Sequence, residues 1–163
     1  MKPQFDLRPI SPDDNAAIAK IIRDTLVEFG AARPGTVYYD ESTDRLSEVF
    51  DKAGSAYFIA EKDGIIIGGA GIYPTENLGD GICELVKMYL LPQARGLGLG
   101  KLLMDKCISF AAAAGYRQIY LETMPELTLA IGLYQRTGFE RLPAPLGASG
   151  HFGCGIWLLR QIT

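Results

Sequence analysis

The stretch Gln93-Ala94-Arg95-Gly96-Leu97-Gly98-Leu99-Gly100-Lys101 restricts the fold of this chain more than any other segment. Before it runs an apolar segment, Glu84 to Leu91, which reads as a strand closed by Pro92. After it, Leu99, Leu102, Leu103, Cys107, Phe110 and Ala111 recur at the spacing of one helix face. A strand, a glycine turn and a helix start make an anion site. The first amides of a helix have no intrahelical acceptor, and the helix dipole favours negative charge beside them. Glycine lets that backbone approach a phosphate with no Cβ in between. Arg95 and Lys101 add countercharge, so a phosphorylated ligand is expected.

Two phosphate motifs fail on their flanks. A P-loop needs glycine five residues before Gly100 and Ser or Thr after Lys101, where the chain has Arg95 and Leu102. A dinucleotide fingerprint, G-x-G-x-x-G, fits Gly96 and Gly98 but needs glycine at Lys101. Glu122 imitates the ribose-binding acid of that fold, yet Pro92 to Arg95 part the glycines from the strand.

The remaining elements follow in order. Gln4 to Ile10 alternates as a short first strand, and Ser11-Pro12-Asp13-Asp14 is a helix start. Ile18, Ile21, Ile22, Thr25, Leu26 and Phe29 form a helical stripe that Gly30 closes. Ala31 to Asp44 is a loop with Arg33, Tyr38, Tyr39, Asp40 and Glu41, and a shorter helix is expected over Asp44 to Lys52. Ala56 to Lys62 and Ile65 to Ile72 are strands joined by Asp63-Gly64, a two-residue hairpin signal. Gly68, Gly69 and Gly71 weaken the second of these unless something lies close against it. Pro74 to Gly81 is a loop, and Ile82 begins the next strand. The helix from Leu99 ends at Gly115, and Arg117 to Thr123 is a strand parallel to Glu84–Leu91. Pro125 opens a helix with Leu127, Ala130, Ile131 and Tyr134 on one face, ended by Gly138. Phe139 to Leu142 and Ile156 to Arg160 are the last strands, antiparallel, around a proline- and glycine-rich segment, Pro143 to Gly155.

A chain of 163 residues suits one domain, here residues 1–163, with a sizeable core. A net charge of −3 without a basic block argues against nucleic acid as a partner. Cys83, Cys107 and Cys154 are odd in number and lack metal-ligand spacing, so reduced thiols and no metal are expected. The start, Met1-Lys2-Pro3-Gln4-Phe5-Asp6, has no apolar h-region, and no run approaches a membrane span. A cytoplasmic protein without a membrane partner, monomeric or homodimeric, is the expectation.

Gln93, Gly96 and Gly98 also match Q/R-x-x-G-x-G/A, the motif of the GNAT acetyltransferases. Val86-Lys87-Met88-Tyr89-Leu90-Leu91-Pro92 resembles that family's fourth strand with its closing proline. The run from Ala130 through Tyr134 to Gly138-Phe139 resembles its later A-x-x-x-Y-x-x-x-G-F signature. The resemblance implies a mixed α/β (α+β) fold with a mostly antiparallel central sheet flanked by helices. It implies acetyl-CoA as cosubstrate, with pantetheine along the main chain of Met88, Tyr89 and Leu90. The pyrophosphate would meet Arg95, Gly96, Leu97, Gly98, Leu99, Gly100 and Lys101. Where the family often has a cofactor-contacting asparagine, this chain has Leu127.

Catalytic roles follow from the same resemblance. Tyr134 matches the tyrosine that protonates the departing CoA sulfur, and phenol is a suitable donor near neutral pH. Glu84, on the strand leading into the site, is the candidate base for the amine, with His151 as the alternative. Tyr38, Tyr39 and His151 are candidate contacts to a small-molecule or amino-acid-like amine, held by cation–π and charge contacts. The expected reaction is direct N-acetyl transfer in a ternary complex. A non-catalytic acyl-CoA sensor, or an acetyltransferase acting on protein N-termini or lysines, are the alternatives.

Overall fold

The computed structural model describes residues 4–162, so Met1-Lys2-Pro3 of the start segment and Thr163 lie outside it. Seven strands form one sheet in the order β1-β2-β3-β4-β5-β7-β6. They are β1 (Asp6–Pro9), β2 (Ala56–Lys62), β3 (Ile65–Tyr73), β4 (Ile82–Leu90), β5 (Gln118–Thr123), β6 (Glu140–Leu142) and β7 (Ile156–Gln161). Every neighbouring pair is antiparallel except β4 and β5, which are parallel. The helices are α1 (Asn15–Glu28), α2 (Leu46–Val49), α3 (Leu99–Ala113) and α4 (Thr128–Arg136). No helix among the described residues is long and apolar enough to cross a membrane.

The apolar stripes of the helices cover opposite faces of the sheet. Ile18, Ile22 and Leu26 of α1 and Leu46 of α2 pack with Tyr57 and Ile59 in one cluster. Leu99, Leu103, Met104 and Cys107 of α3 pack with Ile72, Leu85 and Ile119 in the other. Burying such side chains contributes roughly 1.5–3 kcal/mol each before entropy is counted. The α1 entry is fixed by charge as well: Asp14 accepts the Ser11 amide at 2.7 Å and two Arg8 nitrogens at 2.7 Å each. The second Arg8 partner is Glu61 of β2, which ties β1 and α1 to the hairpin. At the β2–β3 turn, Asp63 and Gly64 both have positive φ, 52° and 76°, as a two-residue hairpin requires.

Two element limits differ from the sequence reading. Over Asp44–Lys52 the chain makes a 3-10 turn, Glu41–Arg45, followed only by the single turn of α2. The Phe50 ring, packed on Tyr57 and Tyr73 at 5.1 and 5.6 Å, turns the chain back to the sheet there. The helix after Pro125 starts at Thr128, because the Leu127 amide bonds the Met124 carbonyl in a turn at 3.0 Å.

Candidate active site

The side-chain pattern of β4 breaks once. Cys83, Leu85, Met88 and Leu90 belong to the α3 layer, whereas Val86 and Tyr89 reach the α1 layer. Strict alternation would not allow both sets, so one residue between Val86 and Met88 is supernumerary. The register agrees: Val86 pairs with Gly71 and Tyr89 with Gly69, so Lys87 and Met88 together oppose Ala70. Lys87 has φ 52°, in the left-handed region. The bulge is held from β2, across β3. Tyr57 donates its hydroxyl to the Lys87 carbonyl at 2.7 Å. Its ring lies where a Cβ on Gly69 would stand, 2.6 Å from the nearest ring carbon, so glycine is needed in β3 there.

The bulge also separates β4 from β5. Pairing between them runs only from Ile82↔Gln118 to Glu84↔Tyr120 and then stops. A cavity of about 410 Å³ opens beyond that point, with Val86 to Leu90 on one wall, Leu121 to Met124 on the other and α4 alongside. At one end stands the glycine turn. Gly96 and Gly98 have φ of 75° and 85°, which β-carbon-bearing residues adopt at a cost, and Gly98 caps α3. Among the described residues the amides from Gly96 to Lys101 bond no acceptor, and the first bond of the segment is Leu102 to Gly98 at 3.1 Å. A Cβ at Gly96 or Gly98 would meet nothing within 4 Å, so the space beside these two glycines is open. Unpaired amides with clear space beside them fit a pyrophosphate.

The other end is acidic. Glu84, only 3% exposed, accepts the Thr75 hydroxyl at 2.5 Å. Its desolvation, opposed by that hydrogen bond and aided by the charge of Glu122, pushes its pKa up to about 7. Glu122 accepts the Tyr120 hydroxyl at 2.7 Å and the Ser149 hydroxyl. His151 lies between Asp40, 2.6 Å from Nε2, and Glu122, 3.9 Å from Nδ1. The long loop that carries His151 is tied down on several sides. The Leu146 amide bonds the Tyr120 hydroxyl, that of Ala148 the Glu76 carbonyl and that of Gly153 the Gly35 carbonyl.

Tyr134 reaches the cavity from α4, its ring edge-on to Phe139 at 5.9 Å. Its hydroxyl has no hydrogen-bond partner among the described residues and is not a sealed polar atom, so it opens on the cavity. Burial pushes the phenol well above its ordinary value of 10, which keeps its proton in place at neutral pH.

The family model for acetyltransferase (GNAT) family matches residues 18–139. The chain belongs to the GNAT family. An uncharacterized N-acetyltransferase of Escherichia coli K12, YjgM, is 40% identical over 157 residues, 96% of this chain and 94% of that protein. Another from Schizosaccharomyces pombe is 28% identical over 79% of this chain and 78% of its own. Among solved structures, a GNAT-family acetyltransferase from Staphylococcus aureus Mu50 has TM-score 0.83 at 17% identity, covering 98% of this chain and all of its own. The yncA structure from Salmonella typhimurium, with acetyl-CoA as its cofactor, has TM-score 0.76 at 21% identity, covering 98% and 95%. At these identities the structural likeness is one of fold. This chain is an acyltransferase of the GNAT family.

Within that GNAT frame the residues read from sequence fall into groups. Glu84, Met88, Tyr89, Leu90, Arg95, Gly96, Gly98, Gly100, Lys101, Tyr134 and His151 all border the cavity. The Leu97 side chain is exposed and that of Leu99 is in the core, and neither residue lines the cavity. Arg95 does not stand free: it pairs with Glu28 at 2.6 Å, bonds the Leu90 carbonyl at 3.0 Å and lies over the Phe29 ring. It fastens the glycine turn to α1. Tyr38 and Tyr39 do not line the cavity. Their 3-10 turn packs the rings against each other at 5.1 Å, and Tyr39 is 59% exposed. Leu127, at the asparagine position, lines the cavity as an apolar group. Sequence reasoning passed over Thr75, Lys87, Ser149 and Arg136, and set Glu122 aside with the dinucleotide motif. Their signal is spatial, since Glu122 and Ser149 meet from different elements. Only Lys87 had a local sign, the break in alternation around it.

Proposed function

We propose that this GNAT acyltransferase moves an acetyl group from acetyl-CoA to the primary amine of a small-molecule or amino-acid-like acceptor, by direct attack in a ternary complex. The observation that carries this reading is the cavity between β4 and β5, with open phosphate-binding amides at one end and Glu84, Glu122 and His151 at the other. Residues Gly96 to Lys101 would hold the pyrophosphate, with Lys101 and Arg136 as nearby positive charges. The unpaired edge of Met88 to Leu90 would hold pantetheine as an added strand. Bound there, acetyl-CoA supplies the thioester carbonyl.

The protein's groups then manage two protons. The acceptor nitrogen forms the C–N bond while the C–S bond breaks. Glu84 takes the proton that the nitrogen must lose, directly or through water. Tyr134 gives its proton to the sulfur as negative charge develops there. A pKa of about 7 leaves Glu84 largely ionised just above neutrality yet basic enough to act. Direct attack is favoured over an acyl-cysteine because burial pushes the Cys83 and Cys154 thiols up to about 12, leaving little thiolate. The walled cavity favours a small acceptor over a folded protein surface.

The test is acceptor-dependent release of CoA thiol, with the N-acetylated amine identified by mass spectrometry. Enzyme mixed with acetyl-CoA alone should keep its intact mass. Acetylation of Cys154 without acceptor, followed by transfer, would overturn direct attack. Faster turnover of lysine peptides than of any small amine would overturn the small-acceptor reading.

A further inference from the structure

Lys87 brings two unfavourable features to one position. Its backbone lies in the left-handed region at φ 52°, which strains any residue that carries a Cβ. Its ammonium is held in the cavity wall, where desolvation lowers its pKa against the opposing pull of Asp40 and Glu84. Glycine would relieve the first and any apolar residue the second, so the charge asks for a ligand.

No partner within the described residues answers it. No ion pair within 4.0 Å and no hydrogen bond reaches Nζ, and no sealed side-chain polar atom lacks a partner, so Nζ opens on the cavity. The neighbouring carboxylates are engaged elsewhere. Glu122 is held by Tyr120 and Ser149, Asp40 by His151, and Glu84 Oε1 by Thr75. Among the described residues, two opposite charges then remain without protein partners on the same strand: Lys87 Nζ and Glu84 Oε2. Three residues of strand span at most about 10 Å, so one small molecule can meet both.

We propose that Lys87 anchors a carboxylate of the acceptor while the acceptor's amine faces Glu84, making the substrate an amino acid or a related amine with a carboxylate a short chain away. This rests on the amine-acceptor reading above. It adds a specificity-determining residue and the sign of the group that residue selects. A carboxylate at Nζ completes the charge pair that the fold leaves open, and a hydrogen bond to a charged group is the stronger kind.

The experiment uses the L-amino acids, each beside its own carboxamide and its decarboxylated amine, with acetyl-CoA and thiol release as the readout. The wild type should favour at least one amino acid over both neutral partners by about 10- to 100-fold in kcat/KM, the worth of a charged hydrogen bond. In Lys87→Met, which pays the same backbone cost, that ratio should narrow to within about three-fold, chiefly through KM. Lys87→Arg should restore much of it. CoA calorimetry and a melting curve establish that each variant is folded. Turnover of the amines with no carboxylate preference overturns the inference and leaves amine acetylation standing, as does a preference that survives in Lys87→Met. Thiol release from none of the amines, with CoA still bound, overturns both.

Discussion

The desolvation that holds the proton on Tyr134 also brings Glu84 to a pKa of about 7, so burial prepares one group to give a proton and the other to take one. The two roles separate experimentally. Tyr134→Phe keeps the ring and its contact with Phe139 and removes a hydroxyl that has no hydrogen-bond partner among the described residues. Melting temperature and CoA affinity should stay near wild type while kcat falls by ~10²–10⁴. Near-normal kcat, with chemistry shown to be limiting, would make Tyr134 a packing residue only. For Glu84 the expected signature is a pH profile. Wild-type kcat/KM should rise with pH through an acid limb near pH 7, where Glu84 loses its proton. Glu84→Gln should lie below it and lack that limb, with the largest ratio above pH 7. Profiles of the same shape would assign the limb to a group other than Glu84.

At the scale of elements, the bulge in β4 makes the difference between a closed sheet and an open cavity. Removing Lys87 would leave Glu84, Val86, Tyr89 and Leu91 on one face and Cys83, Leu85, Met88 and Leu90 on the other, a regular strand with the same apolar surfaces. A Lys87 deletion should therefore fold, with both core layers intact, yet bind CoA at least ten-fold more weakly as β4 straightens toward β5. Unchanged affinity by calorimetry would mean that the gap has another cause. The strand, glycine turn and helix of this region were legible because each is local. Periodicity marks Glu84–Leu91 and the α3 face, and glycine with a following helix marks the anion site. The bulge was legible in principle, as the broken alternation between Val86 and Met88, but a single missed step in a nine-residue strand is a weak pattern. The acceptor end was not legible. Asp40 and His151 are 111 residues apart and meet because the two loops that carry them are tied to each other, the Gly153 amide bonding the Gly35 carbonyl. Tyr38 and Tyr39 carry the aromatic chemistry an amine site needs, but their own turn directs them elsewhere.

Across the whole molecule, the acidic end of the cavity works against folding, and the sign follows from linkage. The Glu84 pKa is about 7 in the folded chain, against an ordinary 4.5. A carboxyl whose folded pKa is raised leaves stability at its fullest below the unfolded value. Stability then declines as pH rises past 4.5 and levels off above 7, where the unfolded chain can ionise freely and the folded one cannot without penalty. A rise from 4.5 to about 7 amounts to about 3 kcal/mol at alkaline pH. That is a large part of the 5–15 kcal/mol that holds a typical protein folded. Glutamine at this position keeps the shape and a partner for the Thr75 hydroxyl but cannot ionise. Glu84→Gln should thus gain stability over wild type progressively between pH 5 and pH 8, by up to about 3 kcal/mol, while losing activity. Urea unfolding at a series of pH values, without ligand, measures this directly. Stability curves for the two proteins that run parallel across that range would show that Glu84 ionises in the fold at no cost, and the tuned carboxylate would lose its physical basis.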